Sequence, residues 1–181
     1  MSPVWTIQTG RLTLTPVSWT DLADLVDLKG DPGVYAQMLG GVAGPYRVRD
    51  ELARDTSFWA AHGVGMWMVR EQGAAIGLTG IHDRPDGRGL ALRFAFRPAA
   101  RGKGLAREAA GAALRFAHDR AGLDRVIAVA REGNIASRTL LGSIGMRPAE
   151  MFMRDGEQVH VYESRAAVPY EPEHHAQIHR S

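Results

Sequence analysis

Residues Arg97 to Gly111 read RPAARGKGLAREAAG. Gly102 and Gly104 stand one residue apart among basic residues, and an alanine-rich run that favours a helix follows at once. Such a segment is either an ordinary strand-to-helix turn with solvated basic side chains or a cradle for phosphate groups. The rest of the sequence has to decide between the two.

The residue types in this stretch suit a pyrophosphate. Glycine has no Cβ, so the backbone at positions 102 and 104 can approach an anion closely. The unpaired N–H groups of the first helical turn, with the positive end of the helix dipole behind them, favour negative charge. Arg101 and Lys103 can add direct charge, and the small Ala106 lets a ligand lie against the helix.

Two common phosphate-binding loops do not match the stretch. A Walker loop ends in Gly-Lys-Ser/Thr, whereas GKGLAR has neither the hydroxyl nor the spacing. A dinucleotide loop needs Gly-x-Gly-x-x-Gly, and Arg107 stands where the third glycine belongs. The acidic residue that this loop requires after the next strand is also misplaced, because Asp124 precedes that strand. A nucleotide-dependent oxidoreductase is therefore disfavoured.

The length and composition of the chain indicate one globular domain. The chain has 181 residues, of which 45% are hydrophobic and 23% are charged. A net charge of only +2 gives no sign of a nucleic-acid binder, and no apolar run approaches the ~20 residues that span a bilayer. The start of the chain does not read as a signal peptide, and cysteine is absent, so we expect a cytoplasmic protein without disulfides or thiolate chemistry.

The pattern of apolar residues predicts a mixed α/β sheet with antiparallel strands before the glycine-rich turn. The turn-forming run DRPDGRG indicates a hairpin between two of these strands. The predicted strands are 11–16, 65–70, 75–81, 90–97, 126–130, 147–153 and 158–164. The predicted helices are 18–30, 48–62, 105–121 and 134–142, with a loop or short helical turn near 31–41. We expect a domain over residues 1–165 and a polar, poorly ordered tail over 166–181.

Four segments in order resemble the GNAT superfamily of acyl-CoA-dependent N-acyltransferases. They are TGRLTLTPV, DPGVYAQM, RGKGLAREA and NIASRTLLGSIGM, which lie within about Thr9 to Tyr162. The third is similar to the family's phosphate loop, Arg/Gln-x-x-Gly-x-Gly/Ala, and it includes Glu108 in the expected place. The fourth resembles the later Asn-x-x-Ser pattern. More narrowly, the chain looks like the branch that includes the ribosomal-protein N-terminal acetyltransferases.

The resemblance implies a twisted, mostly antiparallel sheet, flanked by helices, whose central strands splay apart. Those strands would be Leu90–Arg97 and Val126–Ala130, with the pantetheine arm of acetyl-CoA between them. The backbone around Phe94 to Phe96 would bind the pantetheine amides, and the N–H groups of Gly102 to Ala106 would bind the pyrophosphate. The residues expected to contact the co-substrate are Phe94, Ala95, Phe96, Arg101, Gly102, Lys103, Gly104, Leu105, Ala106, Asn134 and Ser137.

The resemblance also nominates catalytic residues. Many GNAT enzymes protonate the leaving thiolate with a tyrosine, and here Leu141 holds that position, as is usual in the ribosomal-protein branch. By analogy with that branch, Ser137 is the candidate acid or thiolate stabiliser and Asn134 a ligand of the pantetheine arm. Both residues also have a purely structural interpretation, because Asn134 suits an N-cap and Ser137 would lie in the turn that it caps.

The general base is the weakest part of the pattern. The branch often has a glutamate early in its fourth strand, and here Ala91 replaces it. His82, at the end of the preceding strand, is the nearest candidate, followed by Asp83, with His160 on the last strand as a lesser one. A hairpin-end histidine is also often a solvated turn residue. An α-amine with a pKa of ~8 is partly neutral without any base, so the missing carboxylate favours a low-pKa amine.

These observations predict an enzyme that moves acetyl from acetyl-CoA to a primary amine by direct attack. The acceptor would be a protein N-terminus or a small amine, and Arg93 could select an acidic one. The alternative is a degenerate GNAT domain that binds CoA or acyl-CoA as a sensor or interaction module. We expect no nucleic acid or membrane partner and no metal site, although His175 and His179 have i,i+4 spacing; a homodimer stays open.

Overall fold

A computed structural model describes residues 3–167. Within this range the backbone forms a single eight-stranded sheet. The strands are Ile7–Gln8 (β1), Thr13–Pro16 (β2), Met66–Glu71 (β3), Ala74–Asp83 (β4), Leu90–Phe96 (β5), Arg125–Arg131 (β6), Arg147–Arg154 (β7) and Glu157–Arg165 (β8). The sequence pattern anticipated seven of them, and the two-residue strand β1 was missed because it is too short to show alternation.

The α-helices are Leu22–Gly30 (α1), Pro32–Tyr35 (α2), Pro45–His62 (α3), Leu105–Asp119 (α4) and Ile135–Ser143 (α5). Helix α3 begins three residues earlier than predicted because Pro45 is well suited to the first turn, where its missing N–H costs nothing. It ends at Gly63, whose φ of +62° is the left-handed conformation of a helix C-cap. The predicted turn near 31–41 contains α2, which Asp31 caps by accepting from the Gly33 N–H at 2.8 Å.

The sheet has the order β1-β2-β3-β4-β5-β6-β8-β7. Every neighbouring pair is antiparallel except β5 and β6, which run parallel and pair only at Ala91 and Ile127. Beyond that single pair the two strands separate. The predicted mostly antiparallel sheet with splayed central strands is therefore confirmed.

Part of the core lies between this sheet and helix α4, and buried residues of α1 and α3 belong to the same core. The face of α4 toward the sheet consists largely of alanines, and Ala109, Ala113 and Ala117 are fully buried. Small side chains let the helix lie close to the strands, so the start of α4 is held firmly against the end of β5. Position 104, just before the helix, is thereby fixed relative to the splayed strands.

Trp59 anchors helix α3 in the core. Its side chain is fully buried, and its Nε1–H donates to the Met66 carbonyl at 2.7 Å. The indole stacks on Trp5 at 5.1 Å between ring centroids and meets Trp67 edge-on at 4.8 Å. Such aromatic contacts stabilise the core beyond the area that they bury.

The C-terminal tail predicted for 166–181 lies almost entirely outside the described residues, as do His175 and His179. Over residues 3–167 no helix has the length and hydropathy needed to cross a membrane.

Candidate active site

The separation of β5 from β6 opens a cleft in the middle of the sheet. From Leu92 to Phe96, β5 pairs with β4 on one side and with no strand on its other side. The backbone groups on that side face the cleft and can bind an extended ligand as an added strand would. The segment Phe94 to Phe96, where the family resemblance places the pantetheine amides, thus has one unpaired strand edge.

Three adjoining cavities follow this cleft. The groove cavity, about 650 Å³, is lined by residues that include Phe94, Phe96, Arg101, Ala106 and Ser137. The junction cavity, about 100 Å³, shares Phe94, Asn134 and Ser137 with it and adds Tyr35 and His82. The outer cavity, about 400 Å³, shares His82, Glu51 and Arg93 with the junction cavity. One continuous path therefore leads from the glycine-rich turn to helix α3.

The glycine-rich turn forms one end of this path. Gly102 and Gly104 have φ of +75° and +74°, the left-handed region that glycine occupies without strain. Gly104 is the N-cap of α4, and among the described residues the amides of 102–107 donate no hydrogen bond. Six N–H groups at a helix N-terminus are thus available to an anion.

The side chains of the turn divide into two groups. Arg101 and Ala106 line the groove cavity, and the Arg101 Nη2 also donates to the Gly33 carbonyl at 2.6 Å. Lys103 is exposed beside it. Leu105, in contrast, is only 1% exposed and belongs to the core. Only the unpaired backbone N–H of Leu105 could therefore contact a ligand, and the predicted contact stays a prediction.

Glu108 ties the start of α4 to the N-terminal segment. Its Oε1 accepts from the Thr9 hydroxyl at 2.6 Å, and its Oε2 pairs with the Arg11 guanidinium at 2.6 Å. The same guanidinium donates through Nη1 to the Lys103 carbonyl at 2.8 Å. The hydrogen bond from Thr9 and the bonds and charge of Arg11 lower the pKa of Glu108, against the opposing effect of burial. This network holds the turn in place.

Asn134 and Ser137 lie where the groove and junction cavities meet. The Asn134 Oδ1 accepts from the Ser137 N–H at 3.2 Å, so the expected cap of α5 is present. The Ser137 hydroxyl makes no hydrogen bond within residues 3–167 and lines both cavities. Leu141, one turn further, is fully buried in the core. The cap and a role in the cleft are therefore compatible.

His82 lines the junction and outer cavities at the end of β4. Burial and the positive charge of Arg93 lower its pKa to about 3. The imidazole is therefore neutral at physiological pH, with its Nδ1 3.2 Å from the Asp83 carbonyl. A conjugate acid this strong makes His82 a weak base. His160, the lesser candidate, pairs with Glu132 and lines none of the three cavities.

Helix α3 brings two carboxylates to the cleft that the sequence analysis did not identify. Glu51 and Asp55 are one turn apart and line the outer cavity. Glu51 is bound by the buried Lys29 at 2.5 Å and by Arg47 at 3.1 Å. Burial opposes its ionisation, but Lys29 keeps its pKa below the usual range. Burial raises the pKa of Asp55. The sequence shows the i,i+4 spacing of the two carboxylates, but it does not show that this side of the helix faces the cleft.

A wider and shallower groove lies away from the cleft. It has a volume of about 970 Å³ between β1 and α4, and Arg11, Arg107 and Arg115 are among its lining residues. It shares no residue with the three cavities of the cleft. No group of three or more His, Asp or Glu side chains in residues 3–167 is arranged to hold a metal ion.

This chain is similar to known proteins in sequence and in fold. A family model of the acetyltransferase (GNAT) domain matches residues 11–147. An acetyltransferase from Agrobacterium tumefaciens str. C58 is 26% identical and superposes with a TM-score of 0.78, covering 88% of this chain and 94% of that one.

Two further solved structures share the fold at lower identity. One is RimL, a ribosomal L7/L12 alpha-N-protein acetyltransferase in complex with coenzyme A: 13% identity, TM-score 0.74, 89% of this chain and 98% of that one. The other is an acetyl transferase from Salmonella typhimurium that modifies the N-terminal serine of 50S ribosomal subunit protein L7/L12. It has 14% identity and a TM-score of 0.75, covering 88% of this chain and 97% of that one.

Proposed function

The chain belongs to the GNAT family of acetyltransferases, and from that premise we propose that it transfers acetyl from acetyl-CoA to a primary amine by direct attack. One observation carries the proposal: the cleft between β5 and β6 joins a turn of unpaired N–H groups to cavities lined by polar side chains. A donor with a long neutral arm and an anionic end fits one part of this path. A separate acceptor fits the other part.

The described residues are suited to hold acetyl-CoA. The unpaired side of β5 at Phe94 to Phe96 would bind the two amides of the pantetheine arm. The N–H groups of Gly102 to Ala106, with the charges of Arg101 and Lys103, would hold the pyrophosphate. Because both sites belong to elements that the core fixes, the thioester would be directed toward the junction cavity.

The chemistry requires a neutral amine, a stabilised oxyanion and a proton for the leaving thiolate. Acetyl-CoA supplies the activated acyl group. Ser137, at the meeting point of the two cavities, would donate a hydrogen bond from its hydroxyl to the departing sulfur. The proton that the attacking nitrogen loses as the amide forms balances the proton that the thiolate gains, so the reaction releases the amide and the CoA thiol. Asn134 would hold the pantetheine arm through its amide group while its Oδ1 caps α5.

His82 would act as a hydrogen-bond acceptor for the amine rather than as a strong base, because its imidazole stays neutral down to a pH near its low pKa. An acceptor that is already partly neutral at cellular pH fits this environment better than a lysine side chain with a pKa of about 10.4. An α-amine, either of a protein N-terminus or of a small molecule, is therefore the favoured acceptor.

A second candidate function is a CoA-binding module without catalysis. It is favoured by Ala91 in place of the family's carboxylate and by the weak basicity of His82. Such a domain would bind CoA in the same cleft and would release no thiol.

Two measurements separate these functions. The thermal midpoint is first titrated with acetyl-CoA, and release of the CoA thiol is then followed over a panel of amines and peptides. Saturable stabilisation with thiol release supports the enzyme, and stabilisation without release for any acceptor supports the module. An unchanged midpoint would refute both.

The Ser137→Ala variant tests the assigned role. We expect kcat to fall at least about a hundredfold while the dissociation constant of CoA stays within about twofold. Ser143→Ala, on the same helix but lining none of the three cavities, is the matched control. An unchanged kcat for Ser137→Ala would leave that residue with its capping role alone.

A further inference from the structure

The junction cavity is rich in arginine. Four arginines and one glutamate are among its lining residues, and His82 beside them is neutral. The arginines are Arg47, Arg84, Arg93 and Arg131. These arginines lie next to the point where the proposed acyl donor would end, so the acceptor meets whichever of them has no carboxylate partner.

Three of these arginines have a carboxylate partner. Arg47 pairs with Glu51, Arg84 with Asp86 and Arg131 with Glu157. Arg93 differs: no carboxylate oxygen of residues 3–167 lies within 4.0 Å of its guanidinium, which donates no hydrogen bond. Its side chain is half-buried. Glu51 and Asp55 attract its charge only from a longer distance. A half-buried guanidinium without a contacting partner would therefore be stabilised by an anionic ligand.

Tyr35 provides a second unpaired donor in the same cavity. Its ring is 4% exposed, and its hydroxyl is buried without a hydrogen-bond partner in the described part of the chain. Burial raises the pKa of Tyr35 well above its ordinary value, and the charge of Arg93 is the main opposing influence. The hydroxyl is therefore always protonated and can donate. An unsatisfied buried hydroxyl in a native cavity points to a ligand atom that accepts from it.

The carboxylates of α3 do not neutralise Arg93 by contact. Glu51 is bound by Lys29 and Arg47. Asp55 forms no ion pair or side-chain hydrogen bond within residues 3–167, and burial raises its pKa. Glu51, Asp55 and Arg93 all line the outer cavity. A carboxylate brought in by a ligand can reach Arg93 from this space.

We propose that Arg93 and Tyr35 form a carboxylate-binding site for the acceptor, so that the enzyme prefers amines that carry a carboxylate close to the reactive nitrogen. This rests on the proposed acetyltransferase function. The guanidinium offers two parallel N–H donors to a carboxylate, and the tyrosine hydroxyl offers a third. Two sources share this chemistry: a free amino acid, through its α-carboxylate, and a peptide N-terminus with an acidic side chain nearby.

Matched acceptors test the proposal. The wild type is assayed with a free amino acid and its carboxamide, and with an aspartyl-containing peptide and its asparaginyl counterpart. We expect kcat/KM to favour the carboxylate member of at least one pair by about tenfold to a hundredfold. The pair that shows the preference identifies the source. Equal kcat/KM within both pairs would overturn the proposal while leaving acetyl transfer intact.

Two variants assign the preference to these side chains. Arg93→Met should reduce the preference for the carboxylate acceptor to less than about threefold, because it raises KM for that acceptor alone. The control is Arg49→Met, which replaces an exposed arginine on α3 outside the cavities and should preserve the preference. Tyr35→Phe removes only the unpaired hydroxyl. It should raise the thermal midpoint and lower the preference several-fold. A purely structural tyrosine would leave the preference unchanged, which would overturn its assigned role.

Equilibrium binding keeps the two proposals distinguishable. If no acceptor supports thiol release, the proposed function fails. The dissociation constants of the same carboxylate and amide ligands, measured by calorimetry, then still decide the anion site. The anion site is supported if the carboxylate ligand binds more tightly than its amide and Arg93→Met abolishes that difference. Equal dissociation constants for the two ligands would overturn the anion site.

Discussion

Two substitutions of Gly104 that differ from each other in charge test whether the glycine-rich turn holds the pyrophosphate of CoA. A Cβ at this position would meet only the Arg11 Nη2, at 3.6 Å, which is ordinary contact. The φ of +74° disfavours most side chains, but asparagine and aspartate tolerate this conformation and are good N-caps. Gly104→Asp and Gly104→Asn should therefore both fold, with a similar cost of about 1 kcal/mol.

The two variants differ only in charge, which sets the expected effect. A phosphate bound to the N–H groups of 102–106 would lie roughly 6 Å from a carboxylate at 104. At an effective dielectric constant of about 40, each phosphate charge then costs about 1.4 kcal/mol, and the two together about 2.8 kcal/mol before salt screening. The dissociation constant of CoA should rise about tenfold to a hundredfold in Gly104→Asp relative to Gly104→Asn.

Titration calorimetry with CoA at low and at high ionic strength measures this difference, and circular dichroism checks that both variants fold. The penalty of the aspartate should shrink as salt is added, because the interaction is electrostatic. Equal dissociation constants for the two folded variants would show that the turn does not bind the pyrophosphate and has only a structural role.

Two other predictions concern stability. Glu108→Gln should lower the free energy of unfolding by about 1 kcal/mol in urea denaturation, because it weakens the bonds to Thr9 and Arg11, which are partly exposed and screened; an unchanged midpoint would show that the network contributes nothing. In the folded state His82 binds a proton only as the pH nears 3, whereas in the unfolded chain it binds one below about pH 6.5. The free energy of unfolding should therefore fall as the pH decreases from about 6.5 toward 3. Relative to His82→Gln, the wild type should lose roughly 1–3 kcal/mol between about pH 6.5 and pH 4.5, and parallel curves for the two proteins would contradict the low pKa.

The local parts of the fold and site were accessible from the sequence. The turn at 101–106 could be interpreted because its geometry depends on neighbouring residues: two glycines that permit a positive φ, and the helix that starts after them. The cap of α5 by Asn134 was predictable for the same reason. The splayed strands followed only from the family resemblance, since nothing in the alternation of Leu90–Phe96 shows that one side of the strand lacks a neighbour.

The features that were missed depend on contacts between distant parts of the chain. Glu108 meets Thr9 across 99 residues, and no local pattern specifies that pairing. The unpaired states of Tyr35 and Arg93 are visible only once the surrounding side chains are placed. The packing of Trp59 against Trp5 and Trp67 likewise depends on residues that are far apart or on different elements. Periodicity fixes the elements, whereas tertiary contacts fix what each side chain meets.

The most direct measurement is a crystal structure of the protein in complex with acetyl-CoA. We predict that the pyrophosphate lies within hydrogen-bond distance of the N–H groups of Gly102 to Ala106, with the pantetheine arm between β5 and β6. The thioester should end at the junction cavity beside Ser137. A pyrophosphate bound instead in the wide groove between β1 and α4, with the cleft between the splayed strands empty, would contradict this prediction.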